Sequence, residues 1–234
     1  MLAVARRQPE QQAPPVQRLR IRYAKRGRLR FTSHRDFGRA FERALRRAGI
    51  PMAYSSGFSP HPRISYATAS PTGAASEAEY LEIALADVCV PDLVAEELDR
   101  ALPAGLDVLA VVEADPGSLA DQLTASRWQI DLTDSDPAVV ARAVEEFLAV
   151  DEAITERMTK NGLRSFDARE SVVRMTASGT RIEVTTRHLT PLVRPDDLLS
   201  AMSRSTPGFA PADPLITRVK QGQLDDSGGF VEPF

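Results

Sequence analysis

Several residue types are scarce in this chain of 234 residues, which contains one cysteine, three histidines and one tryptophan. The lone Cys89 excludes an internal disulfide, cannot supply the ligands of an iron–sulfur cluster, and fits a reducing, cytoplasmic compartment. No run of 18 apolar residues occurs, so the sequence predicts no transmembrane helix and no membrane partner. Neither Cys89 nor His188 has neighbours at metal-ligand spacing, and we therefore predict no metal site and no cofactor.

The two ends of the chain lack the patterns of folded structure. Residues 1–16 are rich in glutamine and proline and contain no apolar stretch like that of a signal peptide. We predict that they form a flexible leader. Residues 223–234 combine acidic residues with glycines, and we expect a flexible tail there.

Acidic residues are almost absent from one part of the chain. Residues 18–63 contain thirteen lysines and arginines but only two acids, Asp36 and Glu42, which gives a formal charge of +11. The remaining residues carry 16 basic and 30 acidic side chains, a balance of −14 in a chain whose total is −3. A basic cluster of this density is typical of a surface that binds phosphate groups.

The basic segment begins with strict alternation of arginine and apolar residues over positions 18–23. This period of two predicts a strand with Leu19, Ile21 and Tyr23 on one face and three arginines on the other. A turn at residues 25–27 follows. The second alternating run, residues 28–31, is predicted to complete a short hairpin.

A helix is predicted after the hairpin. Ser33 is a favoured N-cap residue, and Asp36 stands at the third helical position as its acidic partner. Apolar residues between Phe37 and Ala48 recur at spacings of three and four and form one stripe. The remaining surface of the helix carries Arg35, Arg39, Arg43, Arg46 and Arg47. Gly49 suits the end of the helix.

The order of predicted elements over residues 17–114 is strand, helix, strand, strand, helix, strand, and residues 125–222 repeat it. The predicted fold class is therefore α+β, with two ferredoxin-like (βαββαβ) modules that contain antiparallel sheets. The first module is basic, the second is acidic, and residues 115–124 link them. No residue-level similarity joins the halves, so the second module is predicted from element order alone. Residues 163–173 are extended and have no assigned place.

Several motifs resemble one known family. They are RLRFTSH at residues 28–34, SGFSPHP at 56–62, SPTG at 70–73 and SEAEYL at 76–81, with weaker similarity around residues 166–169 and at VRP, 193–195. The sequence, above all residues 18–85, resembles the radical-SAM-associated family, also called domain of unknown function 2344.

The resemblance implies a role beside an enzyme. Members of the family occur fused behind radical-SAM and cobalamin-binding-like domains, or as separate short chains near RNA-processing and ribosomal genes. This chain has no CxxxCxxC motif to hold the cluster of a radical-SAM enzyme. If it serves such chemistry, the resemblance implies that it does so as a partner, with RNA as the substrate that it presents.

The alternating strand suggests where RNA would bind. In a ferredoxin-like sheet one face is free of helices and the first strand is central, so Arg18, Arg20 and Arg22 are expected in the middle of an uncovered face. Tyr80 of the third strand is expected on the same face, where its ring would stack on a base. The alternative is that Glu82 and acids of the second module pair with these arginines in a contact between domains.

The predicted function is that of a non-catalytic RNA-binding protein or accessory partner of an RNA-processing or radical-SAM RNA-modifying enzyme. The predicted contact residues are Arg18, Arg20, Arg22, Lys25, Arg26, Arg28, Arg30, Arg35, Arg39, Arg43, Arg46, Arg63 and Tyr80. Two alternatives stay open. One is a metal-independent ribonuclease with His34 and His61 as its catalytic groups. The other is a protein scaffold whose basic face docks an acidic partner.

Overall fold

The computed structural model describes residues 11–159 and 162–234, which form a mixed α+β protein whose strands pair mostly antiparallel. The described chain divides into two compact units. The first unit contains residues 11–24, Thr32–Ala69 and Glu79–Gly117. The second unit contains Lys25–Phe31, Ser70–Ala78 and the described residues from Ser118 to the end of the chain. Two stretches of residues 17–114, the predicted first module, thus belong to the second unit.

Two helices and four strands build the first unit. In chain order they are β1 (Gln17–Lys25), α1 (His34–Arg47), β2 (Ile64–Tyr66), β3 (Ala75–Leu85), α2 (Pro91–Ala101) and β4 (Leu106–Glu113). The strands lie in the order β4-β1-β3. β2 pairs antiparallel with β3, with Ser65 opposite Glu82. The element order predicted for this part of the chain is confirmed.

The alternation in β1 buries one face of the strand, as the sequence predicts. Leu19 and Ile21 are fully buried, and the ring of Tyr23 stacks on Phe37 of α1 with 4.6 Å between ring centroids. Burying an aliphatic side chain of this size stabilises a fold by roughly 1.5–3 kcal/mol. The apolar stripe of α1 therefore covers the apolar face of β1 and fixes which side of the helix faces solvent.

Residues 28–31 do not form a strand, and that prediction is wrong. They belong to a 3-10 helix, Gly27–Phe31. Gly27 has a φ of 54°, which few residues other than glycine adopt, and the N–H of Leu29 donates to the carbonyl oxygen of Arg26 at 3.1 Å. Four alternating residues are too few to specify a strand against this local turn.

Two helices begin at a favoured capping residue. The hydroxyl of Ser33 accepts a hydrogen bond from the N–H of Asp36 at 3.2 Å. Asp136 caps the second unit's first helix, accepting from the N–H of Ala138 at 2.8 Å, with proline at the first helical position. Within residues 11–159 and 162–234, no helix is both long enough and apolar enough to cross a membrane.

The second unit contains the remaining elements. They are β5 (Ala125–Asp131), α3 (Pro137–Ala149), β6 (Ile154–Thr159), β7 (Gly162–Asp167), β8 (Val172–Ser178), β9 (Arg181–Arg187), α4 (Pro195–Ser205), β10 (Leu215–Leu224) and β11 (Phe230–Val231). Four strands lie in the order β10-β5-β9-β8 and pair antiparallel. The start of β3 pairs parallel with β10, with Ala75 opposite Thr217.

One apolar face of these strands packs on the two helices of the second unit. Ile130 of β5 and Val184 of β9 are each 1% exposed, and they belong to one core cluster with Phe147 of α3 and Leu198 of α4. The opposite face of the strands carries their polar residues. This separation gives the second unit a covered side and a polar side.

The extended residues 163–173, which the sequence leaves unassigned, form β7 and lead into β8. β7 pairs antiparallel with β6, with Arg164 opposite Arg157. Arg157 joins this hairpin to α4, because its guanidinium binds the Asp197 carboxylate and lies 5.1 Å from the ring centroid of Phe166. Burial raises the pKa of Asp197, against the effect of its hydrogen bond from the Arg194 backbone and of the positive charge on Arg157.

Candidate nucleic-acid interface

Arg20 does not lie on an open surface, and the prediction that places it there is wrong. Its side chain is 1% exposed, and its Nη2 donates to the carbonyl oxygens of Asp115 and Gly117 at 3.0 Å each. Its Nε lies 3.5 Å from the Glu82 carboxylate. The loop after β4 covers this side of β1, a contact that strand periodicity does not reveal. Arg20 therefore holds that loop in place.

Glu82 pairs with two arginines of β1, as the alternative interpretation predicts. Its carboxylate is 3.1 Å from Nη1 of Arg18, in addition to its contact with Arg20. The Arg18 side chain is 61% exposed, and Arg22 is partly buried. Of the three strand arginines, Arg18 is the most accessible to a ligand.

Tyr80 and Lys25 are buried as well. Tyr80 is 3% exposed, so its ring is not presented for stacking on a base, contrary to the prediction. Its neighbours Glu79 and Leu81 are 2% and 0% exposed, which shows that β3 is covered on both faces at this point. Lys25 is 5% exposed and donates from Nζ to the carbonyl oxygen of Pro71 at 3.4 Å.

The other predicted contacts outside α1 differ in their surroundings. Arg26 pairs with Glu77, with 2.7 Å between Nε and Oε1. Arg63 donates from Nε to a backbone carbonyl of the preceding loop at 3.1 Å. Arg30 places its guanidinium 4.7 Å from the centroid of the adjacent phenylalanine ring. Arg28 is exposed. These four residues do not lie on one helix or strand.

Four arginines lie along the exposed side of α1. We name them the arginine ridge: Arg35, Arg39, Arg43 and Arg46. Spacings of four and three residues place side chains on one side of a helix, about 6 Å apart along the axis for each four residues. Phe37 and Phe41, on the opposite side, are 4% and 0% exposed. Burial of the aromatic side thus turns the arginines toward solvent.

Little negative charge faces the ridge. Glu42 approaches Arg46 at 3.9 Å in an exposed pair, which contributes little to stability. Within the part of the chain that the structure describes, the side chains of Arg35, Arg39 and Arg43 make no hydrogen bond or ion pair. Like charges four residues apart repel by about 0.2–0.5 kcal/mol per pair. A polyanion bound along the ridge would relieve this repulsion.

The two histidines near the basic cluster are exposed and lie in different settings. His34 opens α1 and meets the ring of Tyr66 edge-on, with 5.0 Å between centroids. His61 closes a loop through its backbone, donating to the Ser55 hydroxyl at 3.0 Å. Among the described residues neither imidazole hydrogen-bonds to a carboxylate, the partner that commonly orients a general base, and no cluster of residues suited to a metal ion is found. The ribonuclease alternative stays a prediction.

His188 in the second unit is a partly buried group whose surroundings the sequence does not reveal. Its Nδ1 is 2.7 Å from the carbonyl oxygen of Leu123, and its Nε2 is 2.8 Å from the hydroxyl of Ser126. A neutral ring satisfies both partners, donating from Nδ1 and accepting at Nε2. Burial lowers the pKa of His188 to about 4, the bond to Leu123 opposes this, and the charge of Arg218 adds to it.

His188 is expected to make stability depend on pH. In the unfolded chain His188 gains a proton below about pH 6.5, whereas in the folded chain it stays neutral until the pH approaches its lowered pKa of about 4. The contribution of His188 to the free energy of unfolding should therefore be complete above about pH 6.5 and fall as the pH is lowered from about 6.5 to about 4. Urea denaturation at several pH values tests this, and His188→Gln should show a smaller fall. Equal falls in the two proteins would contradict it.

The polar face of the second unit carries two further arginines that were not predicted as contact residues from the sequence. Arg127, Thr185 and Arg174 lie opposite one another on β5, β9 and β8. Together with Glu183 they line a shallow depression of about 120 Å³. Arg127 also lies over the ring of Phe230, 5.2 Å from its centroid. The alternation within β5 is the signal from which the outward direction of Arg127 can be predicted.

The fold and this surface define an α+β protein of two units with an exposed line of arginines on one helix. The model of a family described as uncharacterised proteins conserved in bacteria, domain of unknown function 2344, matches residues 18–195. The chain belongs to this family. No curated protein matches the chain. The association with radical-SAM enzymes stays a prediction.

Proposed function

We propose that this chain is a non-catalytic RNA-binding protein of the cytosol that presents RNA to a processing or radical-SAM modifying enzyme. The observation that carries the proposal is the arginine ridge. It offers four cations in a line, and only Glu42 among the described acids pairs with any of them. Their spacing of about 6 Å is close to that of successive phosphates along a strand.

Two considerations favour a nucleic acid over other anions. A small anion needs one or two cations, whereas four cations in a line match a polymer of phosphates. Arginine forms bidentate hydrogen bonds with phosphate oxygens, which suits this role better than lysine. The resemblance to a family found near RNA-processing genes is the reason to propose RNA in particular. The same resemblance is the basis for the partner enzyme.

The proposal extends to the fold of each unit, which we take to be a ferredoxin-like module. Support comes from the strand orders, β4-β1-β3 with β2 on β3 in the first unit and β10-β5-β9-β8 in the second. With β6 and β7 set aside, the first and third strands of each unit are neighbours and the fourth pairs with the first. The hairpin of β6 and β7 is then an insertion between α3 and β8.

Salt dependence is expected to reveal binding through the ridge. If each ridge arginine meets one phosphate, log K should fall with log salt at a slope of about −2.8 for single-stranded RNA and about −3.6 for a duplex, at roughly 0.7 and 0.9 per phosphate. Fluorescence anisotropy with labelled RNA between about 50 and 200 mM salt measures this slope.

The matched control is an uncharged peptide nucleic acid of the same base sequence, which should bind far more weakly and without salt dependence. A flat slope for RNA would contradict the proposal. So would the absence of RNA binding at physiological salt combined with binding to an acidic protein, which is the result expected of the scaffold alternative.

A further inference from the structure

A cavity of about 280 Å³ lies within the second unit. Four separate stretches of the chain line it: the end of the 3-10 helix at Arg30 and Phe31, residues 71–74, the first turn of α4, and residues 213–216. These include parts of the RLRF, SPTG and VRP motifs on which the family resemblance depends. Motifs that are far apart in the sequence therefore meet at one small cavity.

Backbone contacts fix the shape of the cavity. The N–H of Gly73 donates to the carbonyl oxygen of Arg30 at 2.8 Å and so joins two of the four stretches. Gly73 has a φ of 98°, a conformation that side-chain-bearing residues rarely adopt. The N–H of Ala74 closes the turn by donating to the carbonyl oxygen of Pro71 at 3.1 Å. The wall opposite α4 is thus preformed rather than dependent on a ligand.

Arg30 and Phe31 form a cation–π pair at the cavity. The guanidinium of Arg30 lies 4.7 Å from the centroid of the Phe31 ring, and the Phe31 side chain is 60% exposed. Among the described residues the Arg30 side chain makes no hydrogen bond, and its Nε is buried. Planar aromatic and guanidinium groups of this kind stack on unpaired bases.

Two carboxylates complete the polar lining. Asp196 and Asp213 are exposed, and within the described ranges neither side chain makes a hydrogen bond or ion pair. The formal charge of the lining is therefore −1, from one arginine and two aspartates. Such a lining does not attract a phosphate. It suits a neutral, planar group that stacks on the guanidinium and has hydrogen-bond donors for the carboxylates.

We propose that this cavity binds a guanine base. Guanine has two neighbouring donors, N1–H and the N2 amino group, which match a carboxylate. Adenine, cytosine and uracil each lack the pair of adjacent donors. The base stacks on the Arg30–Phe31 pair, and the Asp196 and Asp213 carboxylates accept from N1–H and N2.

This inference deepens the proposed function, on which it rests, because it names the base that a bound RNA would place in the second unit. The cavity and the arginine ridge involve different residues and different forces. Salt weakens binding to the ridge, whereas stacking and hydrogen bonds to an uncharged base in the cavity depend little on salt. The two proposals can therefore fail separately.

The test uses neutral nucleosides and the full chain, so that phosphate binding plays no part. Saturation-transfer NMR titrations compare guanosine, inosine and adenosine. Inosine differs from guanosine only by lacking the N2 amino group, and we expect it to bind about tenfold more weakly. Adenosine should bind more weakly still. Equal binding of the three nucleosides, or no binding of guanosine, would overturn the proposal whatever the protein does with RNA.

Substitutions of the residues that line the cavity test whether guanosine binds there. Phe31→Ala should lower guanosine affinity roughly tenfold, the loss expected for one stacked base, whereas Phe58→Ala, which removes another exposed phenylalanine, should not. Asp196→Asn with Asp213→Asn should abolish the preference for guanosine over inosine, and Asp134→Asn should preserve it. Circular dichroism establishes that each variant is folded. A preference that survives the double substitution would place guanosine elsewhere and overturn the assignment.

Discussion

Replacing Arg20 by alanine is expected to lower the free energy of unfolding by about 3 kcal/mol or more. The Arg20 guanidinium is buried and supplies donors to the carbonyl oxygens of Asp115 and Gly117 and to the Glu82 carboxylate. Alanine leaves both carbonyls without these donors and removes a positive charge from beside a carboxylate that is only 12% exposed. Most of the loss comes from that carboxylate and from the space left by a side chain that is 1% exposed, because Asp115 and Gly117 are themselves exposed and water can replace the donors to their carbonyls.

Arg18→Ala is the matched control, because Arg18 pairs with the same glutamate from an exposed position. Its loss should stay below about 1 kcal/mol. Arg20→Lys should fall between the two, since an ammonium group cannot reproduce the planar fork of donors. Urea denaturation followed by circular dichroism measures all three. Similar losses for Arg18→Ala and Arg20→Ala would contradict a structural role that is specific to Arg20.

Substituting glutamine for Arg35, Arg39 and Arg43 together is expected to weaken RNA binding by several hundred-fold at about 0.1 M salt. Three phosphate contacts are lost, and each contributes roughly 0.9 to the slope of log K against log salt for a duplex. Over the decade of salt concentration between about 1 M and about 0.1 M, these contacts account for about 2.7 units of log K. The salt slope itself should become shallower by about 2.7. Glutamine is a good helix former, and removal of like charges should leave the fold at least as stable.

The control for this triple variant carries the same change in net charge on other helices. Arg100, Arg142 and Arg204 lie on α2, α3 and α4, where they bind Glu97 and the backbone carbonyls of Pro207 and Ile154. Their replacement by glutamine should change RNA affinity only slightly. Equal weakening by the two triple variants would attribute binding to net charge and remove the case for the ridge.

Local sequence patterns were sufficient to predict the helices and most strands. The cap at Ser33, the apolar stripe of α1 and the alternation in β1 involve residues within a few positions of one another, where elementary preferences decide the conformation. Residues 28–31 show the limit of such patterns, because a glycine turn with one hydrogen bond outweighs four alternating residues. The arginine ridge was predictable for the same local reason, since helical spacing alone turns its members to one side.

The rest of the site depends on contacts between distant residues. The burial of Arg20 follows from a loop 95 residues further along the chain. Alternation places Arg20 on the second face of β1 but does not indicate what covers that face. Similarly, Phe31, Asp196 and Asp213 come from three separate stretches and show no common spacing. Their meeting at one cavity is a product of tertiary structure.

The sparsely paired arginines of α1 also affect the protein when no ligand is bound. Repulsion between the ridge arginines favours fraying at the ends of α1. In the free protein, dissolved anions act as counterions to these arginines. Added salt should therefore make α1 less prone to fraying while it competes with RNA for the same side chains. A bound RNA strand would keep its phosphates beside the ridge arginines, which dissolved anions do not do. Occupancy of the ridge and order in the first helix should rise together.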